Sequence, residues 1–252
     1  MVDLSVLLIV RNEEKQLEQC LKTIKFAEEI VVVLDKCTDN SKKIAKKYTN
    51  KIYEGSWDIE GKRRNYGIQK CNGRWIFEID ADERVPNDLK HEILSVIKSS
   101  KKDWHLINVK NFFGRKIIKF GWGCYIGKSS YAGLFKKNCK TWGMQRVHPE
   151  ILLKGKKGKT LEKKILHFYC KSIFDLFSKL NSYSTARAKD LKENENNESF
   201  LKNLRRIFSR FWKCYILRKG FKEKDIGLAI AITASLYPIL SYLKYKIENE
   251  ND

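Results

Sequence analysis

A chain of 252 residues is long enough for one good hydrophobic core, or for one core plus an appendage. Its 42% hydrophobic and 12% aromatic content argues for a folded protein and against a disordered or low-complexity one. The 51 Lys+Arg against 30 Asp+Glu leave a net charge of +21, which speaks of an anionic partner (nucleic acid, anionic lipid or a phosphorylated substrate) and not of fold.

The seven cysteines are scattered without a Cys-x-x-Cys pair, so neither zinc-finger spacing nor a disulfide framework is visible. Such a set fits a reducing compartment. The start, Met1-Val2-Asp3, has no basic segment, and the apolar run Leu4–Val10 is short and followed by charge. It reads as a core strand and not as a signal peptide.

From Leu4 to Val10 the chain reads as a buried strand. Asn12 is placed to cap a helix from Glu13 to about Ile24, with Leu17, Cys20, Leu21 and Ile24 at helical spacing. Ile30 to Leu34 reads as a second strand, followed by the polar loop from Asp35 to Ser41 and a helix to about Tyr48. Lys51 to Glu54 forms a short third strand, Gly61 to Lys70 a helix, and Trp75 to Ile79 a fourth strand. Strands alternating with helices are the grammar of an α/β domain with a mostly parallel sheet, and both faces of such a sheet are covered. Ligands in these folds lie beyond the carboxyl ends of the strands. Three polar clusters fall at such ends: Arg11-Asn12-Glu13-Glu14, the loop from Asp35, and Asp80-Ala81-Asp82-Glu83.

The last cluster ends an apolar run in three carboxylates. Residues i and i+2 of an extended chain point to one side, so Asp80 and Asp82 repel unless a cation sits between or near them. Hard oxygen ligands at this spacing suit Mg²⁺ or Mn²⁺, completed by substrate phosphates. The competing reading is a strand ending in a solvated acidic turn.

After Pro86 a helix is expected to about Ser99, and from Trp104 short strands alternate with Gly-rich turns. From Ser172 the pattern is helical, with a polar break at Lys192–Ser199 and two further helices, about Phe200–Lys219 and Lys222–Ile247. The uncharged run Ile226–Leu243 would span roughly 27 Å, just short of the roughly 30 Å hydrocarbon core. Thr233, Ser235, Tyr237, Pro238 and Ser241 interrupt it, which favours a packed or interfacial helix over a membrane span. Arg205, Arg206, Arg210 and Lys213, interleaved with Phe208, Phe211 and Trp212, suit an anionic membrane surface or a solvated basic face.

These residues carry a resemblance. Val6-Leu7-Leu8-Ile9-Val10-Arg11-Asn12-Glu13-Glu14 resembles the opening of inverting family 2 glycosyltransferases with the GT-A fold. Leu34-Asp35-Lys36-Cys37-Thr38-Asp39-Asn40-Ser41 is similar to the next motif, with Lys-Cys where the family more often has Gly-Ser. Gly61-Lys62-Arg63-Arg64-Asn65, Trp75–Glu83, Gly114-Arg115, Gly121-Trp122, Leu134-Phe135, Val147-His148-Pro149-Glu150 and His167 resemble the branch that builds lipopolysaccharide core. The tail around Tyr215, Gly220-Phe221, Gly227 and Tyr237 also fits, so the likeness covers nearly the whole chain.

The resemblance implies a GT-A domain over residues 1–191, with a nucleotide-sugar half (1–100) and an acceptor half (101–171), and a helical, membrane-associating extension over 192–252. It implies a nucleoside-diphosphate sugar, UDP-sugar first, a divalent cation (Mg²⁺ or Mn²⁺), and a hexose, glucose first, passed to an anionic glycolipid such as lipopolysaccharide inner core. The nucleotide-sugar set it implies is Asn12, Glu13, Asp35, Lys62, Arg63, Asn65, Asp80 and Asp82. Glu13 and Asp35 face the nucleoside, and Lys62, Arg63 or Asn65 the diphosphate or nucleotide. Asp80 faces the ribose or donor sugar, and Asp82 ligates the metal. His167 is a second metal ligand or a core histidine. Glu150 is the candidate base, with His148 as its alternative. The expected place is cytoplasmic, peripheral at the inner face of the membrane. The competing readings are the same fold acting on a protein or polysaccharide, and a non-catalytic basic protein binding nucleic acid or membrane. No zinc site, RNA-recognition signature or helix-turn-helix supports nucleic acid.

Overall fold

The computed structural model describes residues 2–121, 128–146, 149–193 and 198–249. The apolar runs of the first eighty residues become parallel strands because they are buried on both faces. They are β1 (Leu4–Val10), β2 (Glu29–Asp35), β3 (Ile52–Gly55) and β4 (Trp75–Asp80). Between them lie α1 (Leu17–Thr23), α2 (Ser41–Ala45) and α3 (Glu60–Lys70). Next come β5 (Glu83–Arg84), α4 (Asn87–Ser99), β6 (Trp104–Phe113), β7 (Lys116–Ile117), β8 (Ser130–Lys136), β9 (Lys140–Trp142), β10 (Ile151–Leu153) and β11 (Leu161–Cys170). The helices α5 (Ile173–Glu193), α6 (Phe200–Trp212) and α7 (Lys224–Asn249) end the chain.

The sheet runs β3-β2-β1-β4-β8-β6-β11-β5, with β7 paired to β6 and β9–β10 a separate hairpin. Leu8 stands beside Val32 and Ile79 in the parallel core. From β8 onward the pairing turns antiparallel, as in Phe77↔Leu134. This is the expected α/β architecture. The chain divides into two compact units, Met1–Lys110 with Ser129–His167, and Asn111–Lys128 with Phe168–Asp252.

In the first unit the core under the sheet includes Leu8, Val10, Leu21, Leu34, Phe77, Leu89 and Ile93, and Trp75 is wholly buried. In the second unit, Leu176 of α5, Cys214 and Ile230, Ala231 and Ala234 of α7 share one cluster. Gly227 lets α7 begin against Gly220, since a Cβ there would lie 1.9 Å from the Gly220 carbonyl oxygen.

Three expectations change. Asn12 caps no helix: its φ is +55°, its Oδ1 accepts the Thr38 N–H at 2.8 Å, and α1 starts only at Leu17. The side-chain oxygen that would cap is spent joining the loops after β1 and β2. The chain from Trp104 opens with one ten-residue strand of alternating burial, and the expected short strands β7, β9 and β10 come after it. The helix expected to Lys219 stops at Trp212 and widens into a π-helical turn over Lys213–Leu217.

In α7 the hydroxyls of Thr233, Ser235 and Ser241 bond back to the carbonyls of Ala229, Ile232 and Tyr237. These three hydroxyls are thus satisfied within their own helix. Gly220–Ile247 is long and apolar enough to cross a membrane by length and composition, and half of its most apolar window is buried inside the protein.

Candidate functional site

The carboxyl ends of β1, β2 and β4 are the natural place for a ligand, and the first unit gathers its charged side chains there. Asp35, the last residue of β2, is fully buried. Its Oδ1 accepts the Trp57 N–H at 2.9 Å, and its Oδ2 pairs with the Arg63 guanidinium of α3. The guanidinium and the amide donor stand in for the water that burial removes. Glu13 donates its N–H to Ser41 Oγ at 2.9 Å, and Asn12 reaches Thr38. The loops after β1 and β2 are therefore laced into one rim. Lys62 is exposed on the first turn of α3.

The acidic cluster is arranged otherwise than an extended chain would have it. Ala81 and Asp82 form a turn, closed as Glu83 Oε2 accepts the Asp80 N–H at 3.0 Å. The period-2 argument holds only while the chain stays extended, and across this turn the two carboxylates meet different partners. Asp80 Oδ1 meets Arg64 Nη2 at 3.0 Å, and Asp82 Oδ2 meets His167 Nε2 at 3.3 Å. The second contact exists because β5 pairs antiparallel with β11, setting His167 opposite Glu83. The two residues expected as metal ligands thus meet, with Asp82 at 18% side-chain exposure and His167 at 8%.

Arg64 was not among the expected site residues, and it holds the floor of the cluster. Its Nε bonds Glu60 Oε1 at 2.7 Å, Nη1 lies 3.9 Å from Glu78 Oε1, and the guanidinium stacks 4.6 Å from the Trp142 ring centre. Burial alone would depress its pKa, but Asp80, Glu60 and Glu78 outweigh that and raise it further. Beneath it, buried Glu78 pairs with buried Lys140 and accepts Trp142 Nε1–H at 3.0 Å. Lys140 also donates to the Ala132 carbonyl at 2.9 Å. Tyr131 donates its hydroxyl to the Glu78 carbonyl at 3.0 Å. Its pKa is driven up by burial and by Glu83, Asp80 and Glu78. A signal for this layer stood in the sequence, since a Glu inside an apolar strand is costly without a partner.

Asn65 faces the hairpin instead of the rim. Its Nδ2 donates to the Trp142 carbonyl at 2.8 Å, and its Oδ1 accepts the Trp142 N–H at 2.9 Å. Gly61 sits so close to the same hairpin that a Cβ would lie 1.8 Å from the Gly143 carbonyl oxygen. These contacts fix β9–β10 to α3. Glu150, exposed just before β10, accepts the Gly143 N–H at its carbonyl (2.7 Å) and gives its own N–H to Gln145 Oε1 (3.0 Å). His148 and Val147 lie outside the described residues, as do Trp122 and Gly123.

The donor set at Asp82 and His167 fits a divalent cation. Carboxylate with imidazole suits Mn²⁺ or a similar ion, and one or two protein ligands are what a phosphate-bound Mg²⁺ or Mn²⁺ takes. Among the described residues no group of three or more His, Cys, Asp or Glu side chains forms a complete cage. The remaining coordination positions would fall to a substrate.

Residues 5–119 match the family model "Glycosyl transferase family 2". The lipopolysaccharide core biosynthesis glycosyltransferase LpsC of Rhizobium meliloti is 24% identical over 262 residues, covering 96% of this chain and 91% of LpsC. An uncharacterised glycosyltransferase of Rickettsia bellii is 24% identical over 227 residues, covering 86% and 77% of the two chains. Among solved structures, Staphylococcus aureus TarS 1–349 in complex with UDP-GlcNAc superposes with a TM-score of 0.50 at 15% identity. That alignment covers 97% of this chain and 88% of TarS 1–349. A parallel sheet with charged strand ends, the matched family model and these relatives agree: residues 5–119 carry a family 2 glycosyltransferase domain, on the GT-A fold.

Proposed function

We propose that this glycosyltransferase is a metal-dependent, inverting hexosyltransferase. It takes the sugar, glucose first, from a nucleoside diphosphate, UDP first, and passes it to an anionic glycolipid of the lipopolysaccharide inner-core kind. The observation that carries most weight is the 3.3 Å approach of Asp82 Oδ2 to His167 Nε2 at the carboxyl end of β4. A divalent ion held there would neutralise the charge that grows on the departing diphosphate.

The chain's own groups divide the remaining work. Asp35, buried and fixed by Trp57 and Arg63, positions the rim that receives the nucleoside, and Glu13 lines the same rim. Arg63 and exposed Lys62 offer positive charge to the phosphates. Asp80, steered by Arg64, faces the ribose or the sugar. Glu150, whose main chain is pinned by Gln145 and Gly143, takes the proton from the acceptor hydroxyl while the diphosphate leaves from the opposite face of the sugar. The likeness to LpsC along 96% of the chain supports the core-oligosaccharide acceptor, and the net charge of +21 suits its phosphates. Such an acceptor sets the enzyme at the cytoplasmic face of the membrane. The S. aureus relative holds UDP-GlcNAc, which supports a UDP-sugar donor.

A thermal-shift screen against UDP-, GDP- and CMP-sugars, each with and without Mn²⁺, tests this. A bound donor raises the melting temperature by mass action. The expected result is a shift for one UDP-sugar that needs metal and is lost in Asp82→Asn. A metal-independent shift overturns the metal site, and no shift with any donor overturns the donor assignment.

A further inference from the structure

Within the second unit, one helix face is apolar, exposed and flanked by cations. Along α6, Leu201 and Phe208 are each 72% exposed, Trp212 57% and Leu204 38%, and Leu217 beyond the π-helical turn is 65% exposed. Their spacing of three and four residues sets them in one stripe. Lys202, Arg205 and Lys213 are exposed beside it, at the neighbouring helical positions. Between Phe200 and Lys222 the chain carries eight Lys or Arg and no acidic residue. The inner side of α6 is anchored: buried Asn203 bonds Glu198 and the Ser199 carbonyl, and Arg206 pairs with Glu198 at 3.1 Å.

We propose that α6 lies in the plane of an anionic lipid bilayer, its Leu201–Leu204–Phe208–Trp212 stripe among the acyl chains and its cations at the headgroups. This is the profile of an interfacial helix: a strong apolar face, aromatics at its edge, and Lys and Arg on the polar side. A groove of about 760 Å³ beside Phe208, Phe211, Trp212 and Ser235 gives the end of an acyl chain somewhere to enter. The charge singles out the occupant. A second copy would set the same patch against itself, since a two-fold interface is self-complementary, and Lys202, Arg205 and Lys213 beside the stripe would meet the same cations of the other copy. Anionic lipid neutralises them. The long apolar helix α7 is the poorer membrane element, because half of its most apolar window is buried and its exposed large apolar side chains, Leu228 (39%), Ile232 (38%) and Ile247 (56%), are fewer than those of α6. This inference concerns where the enzyme sits and does not rest on the donor, metal or acceptor assigned above.

Co-sedimentation of the full chain with sucrose-loaded vesicles, without donor or metal, tests it. Vesicles of phosphatidylglycerol with phosphatidylcholine are compared with phosphatidylcholine alone, at low and high salt. The wild type is expected on the anionic vesicles, with partitioning at least about tenfold weaker on phosphatidylcholine. Phe208→Ser/Trp212→Ser should lose at least about tenfold on anionic vesicles and keep its melting temperature, because both side chains are exposed. Arg205→Gln and Lys213→Gln should each lose about fivefold on anionic vesicles only. Absence of binding by the wild type, or equal binding by the Phe208→Ser/Trp212→Ser variant, overturns the proposal. So does a wild-type dimer in light scattering that this variant dissolves while vesicles are ignored, which would assign the face to a second copy.

Discussion

Strand β2 begins and ends on a buried carboxylate, and its two ends serve different purposes. At the amino end Glu29 is 5% exposed and meets Ser5 Oγ, Lys51 Nζ, the Asn72 N–H at 2.7 Å and Asn72 Nδ2 at 3.1 Å. Ser5 Oγ in turn accepts the Gly73 N–H at 2.7 Å. At the carboxyl end Asp35 meets Trp57 and Arg63. Burial and pairing are alike at both ends, so neither identifies a site. The direction of the strand does, because in parallel sheets the ligand lies beyond the carboxyl ends. Glu29 ties neighbouring segments together, whereas Asp35 belongs to a rim whose other members, Asp80 and Asp82, still touch solvent.

Variants at both ends sharpen this contrast. The largest effect is expected one layer below the rim. Lys140→Met strips buried Glu78 of its nearest cation and leaves only Arg64 at 3.9 Å, which should cost about 3–5 kcal/mol in denaturant unfolding. A loss under about 1 kcal/mol would mean that the charge layer does not support the site. Next, Asp35→Asn keeps the acceptor for Trp57 and removes the charge facing Arg63. It should raise the donor KM about tenfold with kcat little changed, the pattern of lost uniform binding. Smallest is Glu29→Gln, expected to cost about 1–3 kcal/mol and to leave the donor KM untouched.

The same glutamate gives a pH signature. Burial works to raise its pKa, but hydrogen bonds from Lys51, Ser5 and Asn72 outweigh that and hold it below the ordinary value. A carboxylate with a depressed folded pKa contributes stability that is complete above its unfolded pKa and lost as pH falls through the folded one. Unfolding at pH values descending below about 4.5 should therefore narrow the gap between wild type and Glu29→Gln. A constant gap would show that the charge of Glu29 contributes nothing.

The parallel half of the sheet was legible because a strand buried on both faces must be an unbroken apolar run, and β1, β2 and β4 are such runs. The polar clusters at their ends were legible for the same reason. What escaped was direction around a helix. Lys62, Arg63 and Arg64 are three adjacent cations in sequence, and successive residues turn by about 100°. Only packing decides that Arg63 meets Asp35, that Arg64 meets Asp80 and Glu78, and that Lys62 stays exposed. Asn12 misled for a related reason: its oxygen can cap a helix or bridge two loops, and the neighbouring Thr38 N–H decides. Glu78 announced that it needed a partner, but nothing local named Lys140.

The two-residue strand β5 has a consequence for how activity arises in time. The pairing of Asp82 with His167 forms only when the late strand β11 docks beside β5. Contacts between distant parts of a chain form slowly, since the intervening loop must close first. During synthesis the parallel strands β1 to β4, and with them the rim around Asp35, can assemble while β11 is still unmade. On the metal site proposed here, a nascent chain would then hold a nucleotide shelf before it held a working metal site. Competence would come with the arrival of one histidine, which makes the closing of β11 the event that turns a binding fold into an enzyme.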